Sequence, residues 1–129
     1  MKFSTKAEYG LKAMVNLAEA FPVQKNLKSV SNEENISIKY LEQLFSKLKK
    51  ADLIISSKGK SGGYTLSRKP TQIKVGEVVE ILEGPIAPMG CAGKACALKC
   101  VSSVVWVKLG EQIKKTLYKI KLSDLIHRN

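Results

Sequence analysis

Three cysteines within ten residues, Cys91, Cys96 and Cys100, constrain this chain more than any other feature. They lie in a short Gly-rich stretch, Met89-Gly-Cys-Ala-Gly-Lys-Ala-Cys-Ala-Leu-Lys-Cys100, between a compact basic segment and one long amphipathic helix. No apolar run in the sequence approaches the roughly 20 residues that span a bilayer, and Met1-Lys-Phe-Ser-Thr lacks a signal-peptide core. A cytoplasmic location is expected. In that reducing compartment clustered cysteines are thiolates rather than disulfides, and an odd count leaves one thiol out of any intrachain pairing.

Charge is distributed unevenly. Of the net +11, residues 1–74 carry 14 Lys+Arg against 6 Asp+Glu, residues 75–100 carry 2 against 3, and residues 101–129 carry 6 against 2. A polyanion fits the first segment, because every phosphate neutralised by lysine or arginine releases condensed counterions. A solvated basic surface is the alternative.

At 129 residues one core plus an appended helix is expected. Thr5 to about Ala20 has apolar residues at helical spacing, Thr5-x-x-Glu8 matches a capping box, and Pro22 ends the pattern. Glu8 therefore has a capping role available beside any functional one. Leu27 to Glu34 is a weakly patterned pair of helical turns, and Asn35-Ile-Ser37 is a tight turn ending in an N-cap. Ile38 to Ala51 is the strongest helix of this half, with Ile38, Leu41, Leu44, Phe45 and Leu48 as the buried stripe. A short helix, a tight turn and a second helix rich in polar side chains outline a helix-turn-helix.

Leu53-Ile-Ile-Ser-Ser57 and Tyr64-Thr-Leu-Ser-Arg68 read as strands joined by the turn Lys58-Gly-Lys-Ser-Gly-Gly63. The glycines let backbone approach a phosphate, and the lysines add charge without demanding a particular base. The fold class is thus mainly α with a small β-hairpin wing: a winged helix-turn-helix at 1–74, a connecting helix and cysteine loop at 75–100, and a dimerisation helix with tail at 101–129. Val75 to Leu82 is the connecting helix, stopped by Gly84-Pro85. Val105, Leu109, Ile113, Leu117 and Ile120 stripe the last helix, and Ser123 is placed to cap a final turn. That stripe suits pairing of two chains, with packing back on its own domain as the alternative.

Cys96 and Cys100 are four apart. A last helix beginning near Ala95 places both thiolates on one face of its first turn, with Cys91 folding over them. Three converging sulfurs suit an iron–sulfur cluster, zinc or copper(I); buried thiols or a peroxide-sensing thiol are the alternatives. The spacing lacks the paired C-x₂-C knuckles of structural zinc. No nucleophile–base constellation or cofactor fingerprint is present, so an enzyme is not expected.

Several segments together resemble the Rrf2 family of winged-helix regulators, of the IscR and NsrR type. They are Glu8-Tyr-Gly-Leu11, Ile36-Ser-Ile-Lys-Tyr-Leu-Glu-Gln-Leu44, Lys58-Gly-Lys-Ser-Gly-Gly-Tyr64, Val75-Gly-Glu-Val78, the three cysteines and Val104-Val-Trp106. The resemblance covers nearly the whole chain. It implies a homodimeric repressor or activator that binds a palindromic operator in double-stranded DNA. By position, Ser37, Lys39, Tyr40, Glu42 and Gln43 face the major groove, and Lys58, Gly59, Lys60 and Ser61 form the wing tip.

It also implies that Cys91, Cys96 and Cys100 hold an iron–sulfur cluster, 2Fe–2S ahead of 4Fe–4S, which reports cluster supply, redox state or nitric oxide. The cysteines are closer together than is usual in the family, and Ser103 or a neighbour replaces the histidine that follows the third cysteine in IscR-like members. Members similar to NsrR take a carboxylate from the first helix of the partner chain, a place Glu8 occupies. A thiol-redox or zinc-responsive regulator on the same scaffold is the alternative.

Overall fold

Helix α1 (Thr5–Ala20) is the post against which most of the other elements pack, and a computed structural model of the protein describes residues 3–57, 62–88 and 101–126. Its 3.6-residue period puts Ala13, Met14 and Leu17 fully inside the core. Gly10 on the same side lets α4 come close: a Cβ there would fall 2.1 Å from Leu82 Cδ1.

The start of α1 corrects the sequence expectation. Ser4, not Thr5, is the N-cap, and its hydroxyl accepts from the Lys6 N–H at 3.2 Å. Glu8 then stands one position too far along to reach back to the cap. Glu83, at the end of α4, takes that task instead, accepting from the Ser4 N–H at 2.7 Å and from the Ser4 hydroxyl. The Ser4 hydroxyl first, then the Ser4 and Ala7 N–H groups and Lys6, hold the Glu83 carboxyl below its usual range, against the opposing effect of burial.

Helix α2 (Leu27–Glu34) is capped by Asn26, which accepts from the Ser29 N–H at 2.7 Å. Asn35 follows in the left-handed region at φ 57°, a conformation asparagine tolerates, and turns the chain into α3 (Ile38–Lys50). Leu41, Leu44, Phe45 and Leu48 are buried, each worth about 1.5–3 kcal/mol of transfer free energy. Ile38 was expected among them but is 44% exposed, because it falls at the edge of the arc centred on Leu41, Leu44 and Leu48.

Strands β1 (Ile54–Ser57) and β2 (Gly63–Leu66) form the antiparallel hairpin, with Ile54 opposite Leu66 and Ser57 opposite Gly63. The second strand is shorter than expected: Ser67 and Arg68 leave it. Ser67 N–H donates to Leu53 O at 3.0 Å, and Arg68 reaches Gln72 O and the Glu77 carboxylate, each at 2.9 Å. Pro70–Gln72 forms a 3₁₀ turn before α4 (Val75–Glu83).

Helix α5 (Ser103–Lys119) begins two residues after the boundary expected at 101, with Val101 and Ser102 in a turn, and the helical turn expected to bring Cys96 and Cys100 together lies outside the described residues. Beyond it the chain returns to the core. Val75 N–H donates to Ile120 O at 2.8 Å, Leu122 N–H donates to Ile73 O at 3.0 Å, and Leu122 is fully buried. In the final 3₁₀ turn Leu122–Leu125 the cap is not Ser123: Asp124 accepts from the Lys121 N–H at 2.9 Å.

Helix α5 divides its apolar stripe. Leu117 and Ile120 pack on Ala7, Val75 and Val79, whereas Val101, Val104, Val105 and Leu109 are exposed, Val105 by 57%. Among the described residues no helix is long and apolar enough to cross a membrane.

Candidate nucleic-acid interface

The buried arc of α3 dictates what its other face presents. With Leu41, Leu44 and Leu48 inward, the 3.6-residue period turns Lys39, Glu42, Gln43, Ser46 and Lys50 to the opposite, exposed side. Ser37 starts the helix there, its hydroxyl accepting from the Tyr40 N–H at 3.2 Å. The preceding turn is pinned from below: Ser31 Oγ donates to Ile36 O at 2.5 Å, and Ile36 N–H donates to Ser31 O at 3.1 Å. One exposed face therefore combines lysines, a residue type suited to phosphate, with glutamate and glutamine, types able to hydrogen-bond base edges. Ser46 and Lys50, which the same period puts on the polar side of the helix, complete it.

Tyr40 differs from its neighbours. It is half-buried at the rim of this face, its hydroxyl 3.0 Å from Thr5 Oγ1 and its ring edge-on to Tyr9 at 5.9 Å and 88°. Both contacts go to the first turns of α1, the hydroxyl contact across 35 residues of chain, and no local pattern announces them.

The hairpin is held beside α3 from two sides. Tyr64 packs on Phe45 with ring centroids 4.8 Å apart. On its outer edge the Tyr64 backbone pairs with Lys25, N–H to O at 2.7 Å and O to N–H at 2.9 Å. Gly63 permits that approach, since a Cβ would lie 2.6 Å from Lys25 O. Ser57 Oγ donates to Gln24 Oε1 at 2.6 Å. The wing-tip residues Lys58, Gly59, Lys60 and Ser61 lie outside the described residues.

A polar network braces the same region. Asn16, 6% exposed within α1, donates its amide to Glu33 Oε1 at 2.9 Å and to Glu34 Oε2 at 2.8 Å. Lys25 Nζ also bonds Glu33, whose carboxyl is held below its usual range by Lys25 first and Asn16 second. The residue that pairs with the wing strand is thus tied to the end of α2. The sequence signal for Asn16 was faint: one amide between the apolar pairs Met14-Val15 and Leu17-Ala18.

Glu8 is exposed on α1, one turn beyond Thr5, and no described residue pairs with its carboxylate. It borders a cleft of about 550 Å³ with Leu11, Lys12, Val15, Glu34 and Leu125. Cys91, Cys96 and Cys100 lie outside the described residues, and among those described no three metal-ligating side chains are gathered. The flanks of the cysteine segment are placed, and both adjoin α5. Pro88 lies so close to Gly110 that a Cβ there would be 3.2 Å from Pro88 Cδ, while Val101 leads into Ser103 seven residues earlier in that helix. Those two positions are about 10 Å apart along the helix axis.

The family described as "Iron-dependent Transcriptional regulator", Rrf2, matches residues 3–128. The HTH-type transcriptional regulator CymR of Bacillus subtilis is 37% identical over 97% of this chain and 89% of its own length. The IscR regulator of Aliivibrio salmonicida is likewise 37% identical, over 100% of this chain and 79% of its own. Among solved structures, T. potens IscR superposes with a TM-score of 0.81 at 38% identity, covering 97% of this chain and 85% of that one. The structure of CymR, the global cysteine regulator of B. subtilis, gives 0.80 at 36%, covering 97% of this chain and 95% of that one. With the winged helix-turn-helix in place and likeness on this scale along nearly its full length, the chain belongs to the Rrf2 family of transcriptional regulators, DNA-binding proteins rather than enzymes.

Proposed function

We propose that the protein is a homodimeric, cytoplasmic regulator that reads a palindromic operator through α3 and sets its DNA affinity by an iron–sulfur cluster. The observation that carries the reading of DNA is the exposed face of α3, where phosphate-holding and base-addressing side chains stand opposite the buried leucines. Ser37, Lys39, Glu42 and Gln43 enter the major groove. Lys58, Gly59, Lys60 and Ser61 follow the phosphates from the wing. Two copies joined along the exposed Val101 and the exposed Val104, Val105 and Leu109 of α5 present half-sites about 34–36 Å apart. Residues 1–74 form the reader, 75–100 the sensor segment and 101–129 the dimer element.

The donor chemistry fits a cluster. Cys91, Cys96 and Cys100 supply three soft thiolates, and Glu8 is an exposed carboxylate without a described partner, available as a fourth ligand from the other chain. When bound, the cluster supplies a redox- and ligand-sensitive centre; 2Fe–2S is preferred to 4Fe–4S. The residues of this chain convert its presence into a change at the reader.

The test is an anaerobic purification with visible spectrum and iron and sulfide counts, followed by DNA titration of the loaded and chelator-stripped protein. Brown protein with stoichiometric iron and different affinities in the two states is expected. Colourless protein in oxygen-free preparations, or equal affinities, overturns the cluster reading.

A second reading is favoured by the likeness to CymR, equal in identity to that with IscR. On it the cysteines act as redox thiols or hold zinc, and the protein is colourless, with DNA affinity that follows oxidant or zinc.

A further inference from the structure

We infer that Tyr40 is a positioning residue: it clasps the turn of α1 that carries Glu8, so that the state of Glu8 reaches the DNA-reading face of α3 through this one side chain. Thr5, Glu8, Tyr9 and Lys12 are spaced at three- and four-residue steps and form one face of α1. Tyr40 meets that face twice, with its hydroxyl on Thr5 Oγ1 at 3.0 Å and its ring edge on Tyr9 at 5.9 Å. Lys12 Nζ lies 5.5 Å from the centroid of the Tyr9 ring and also borders the cleft beside Glu8. Both helices are stiff over this distance, so a shift of the first turns of α1 is passed to Tyr40 rather than absorbed by a loop.

On α3, Tyr40 sits directly beside Lys39 and three residues before Gln43. A hydroxyl already committed to Thr5, on a half-buried ring, is poorly placed to address DNA. Its neighbours are exposed and have no such commitment. Tyr40 therefore orients the reading face and does not read. When Glu8 is drawn toward a ligand set on the partner chain, α1 shifts at Thr5 and Tyr9 and α3 is re-aimed. The inference rests on the proposals that α3 reads DNA and that Glu8 is a cluster ligand.

The experiment uses the full-length dimer, loaded and chelator-stripped, with an operator duplex selected in vitro by the wild-type protein and a random-sequence duplex of equal length. The variants are Thr5→Val, Tyr40→Phe, the double variant, and Thr5→Ser as the conservative control. Thr5→Val and Tyr40→Phe are each expected to lower operator affinity about three- to tenfold, the scale of one hydrogen bond, and to leave random-sequence binding unchanged. The double variant should lose no more than the larger single, because both remove the same contact. Thr5→Ser should restore wild-type affinity. Cluster absorbance and iron content stay as in wild type, while the ratio of loaded to stripped affinity narrows in the single variants.

Additive losses, equal losses on random DNA, or a Tyr40→Phe loss with Thr5→Val silent overturn the clasp; the last pattern marks Tyr40 as a direct DNA contact. If wild type binds operator equally with and without cluster, yet the two variants show the shared, operator-specific loss, Tyr40 positions α3, while the cluster reading and the link from Glu8 to α3 both fall. A wild-type protein that selects no sequence overturns both.

Discussion

Tyr118 of α5 lies across Gly76 of α4 so closely that a Cβ on residue 76 would sit 2.2 Å from the ring's Cδ1. No side chain fits between them. The hydroxyl beyond this contact donates to Glu80, and Lys114 approaches the same carboxylate at 3.9 Å. One aromatic ring thereby sets how the helix that flanks the cysteine segment meets the core.

Gly76→Ala should therefore destabilise the protein, although alanine is the better helix former by about 1 kcal/mol. Overpacking costs of about 1–3 kcal/mol outweigh that gain. Urea unfolding of Gly76→Ala in wild type and in Tyr118→Leu checks this. The penalty should disappear, or reverse, once the ring is gone; a penalty of the same size in both backgrounds refutes the steric account.

The same ring carries a pH signature. Burial, with help from the Glu80 acceptor and the charges of Glu80 and Glu77, pushes the Tyr118 phenol up to about 12. A folded-state value above the unfolded one of about 10 means stability that is complete below pH 10 and lost as pH rises through about 12. Tyr118→Phe cannot release that proton. Between pH 10 and 12 its stability should fall less steeply than wild type, and phenolate absorbance should show one fewer late-titrating tyrosine. Parallel curves would remove Tyr118 from the alkaline transition.

Asn16 donates to two carboxylates, so Asn16→Asp turns both contacts into repulsions in a buried place. About 2–4 kcal/mol should be lost at neutral pH. The new carboxyl is held above its unfolded value and regains its proton as the solution is acidified, so the penalty should shrink toward about pH 5. Urea titrations at both pH values decide it: a penalty independent of pH means the loss is packing rather than charge.

On DNA the two parts of the interface should separate. Removing both wing lysines, Lys58→Ala with Lys60→Ala, should weaken binding to every sequence and flatten the log affinity against log salt slope by about 1.8, at about 0.9 per phosphate. Glu42→Ala should leave that slope in place and relax preference at one base pair by about 1–3 kcal/mol. An unchanged slope in the first variant, or unaltered discrimination in the second, removes the residue from its role.

The features legible in the sequence were those set by near neighbours. Apolar residues three and four apart mark α1 over Thr5–Ala20 and α2 over Leu27–Glu34, and Ser37 announces the start of α3 because a cap needs only the next turn. The hairpin was visible because its strands are joined by a glycine-rich turn. Local pattern misled where a local partner existed but a distant one was used. Thr5-x-x-Glu8 looks like a capping box, yet Ser4 and Glu83, 79 residues apart, close that end of the helix. Likewise, lysine- and polar-rich spacing marked the exposed face of α3 but did not reveal that Tyr40 is bound to Thr5.

By itself, then, the sequence determined which segments are helix or strand and which face of each is apolar, since those properties are settled within one helical turn or one strand pair. Only the tertiary structure decided which side chains are withdrawn from solvent chemistry and which are left available. Tyr40 was taken up by α1, and Glu8 was released from capping by Glu83. Such assignments depend on where helices cross, and packing determines that between residues far apart along the chain.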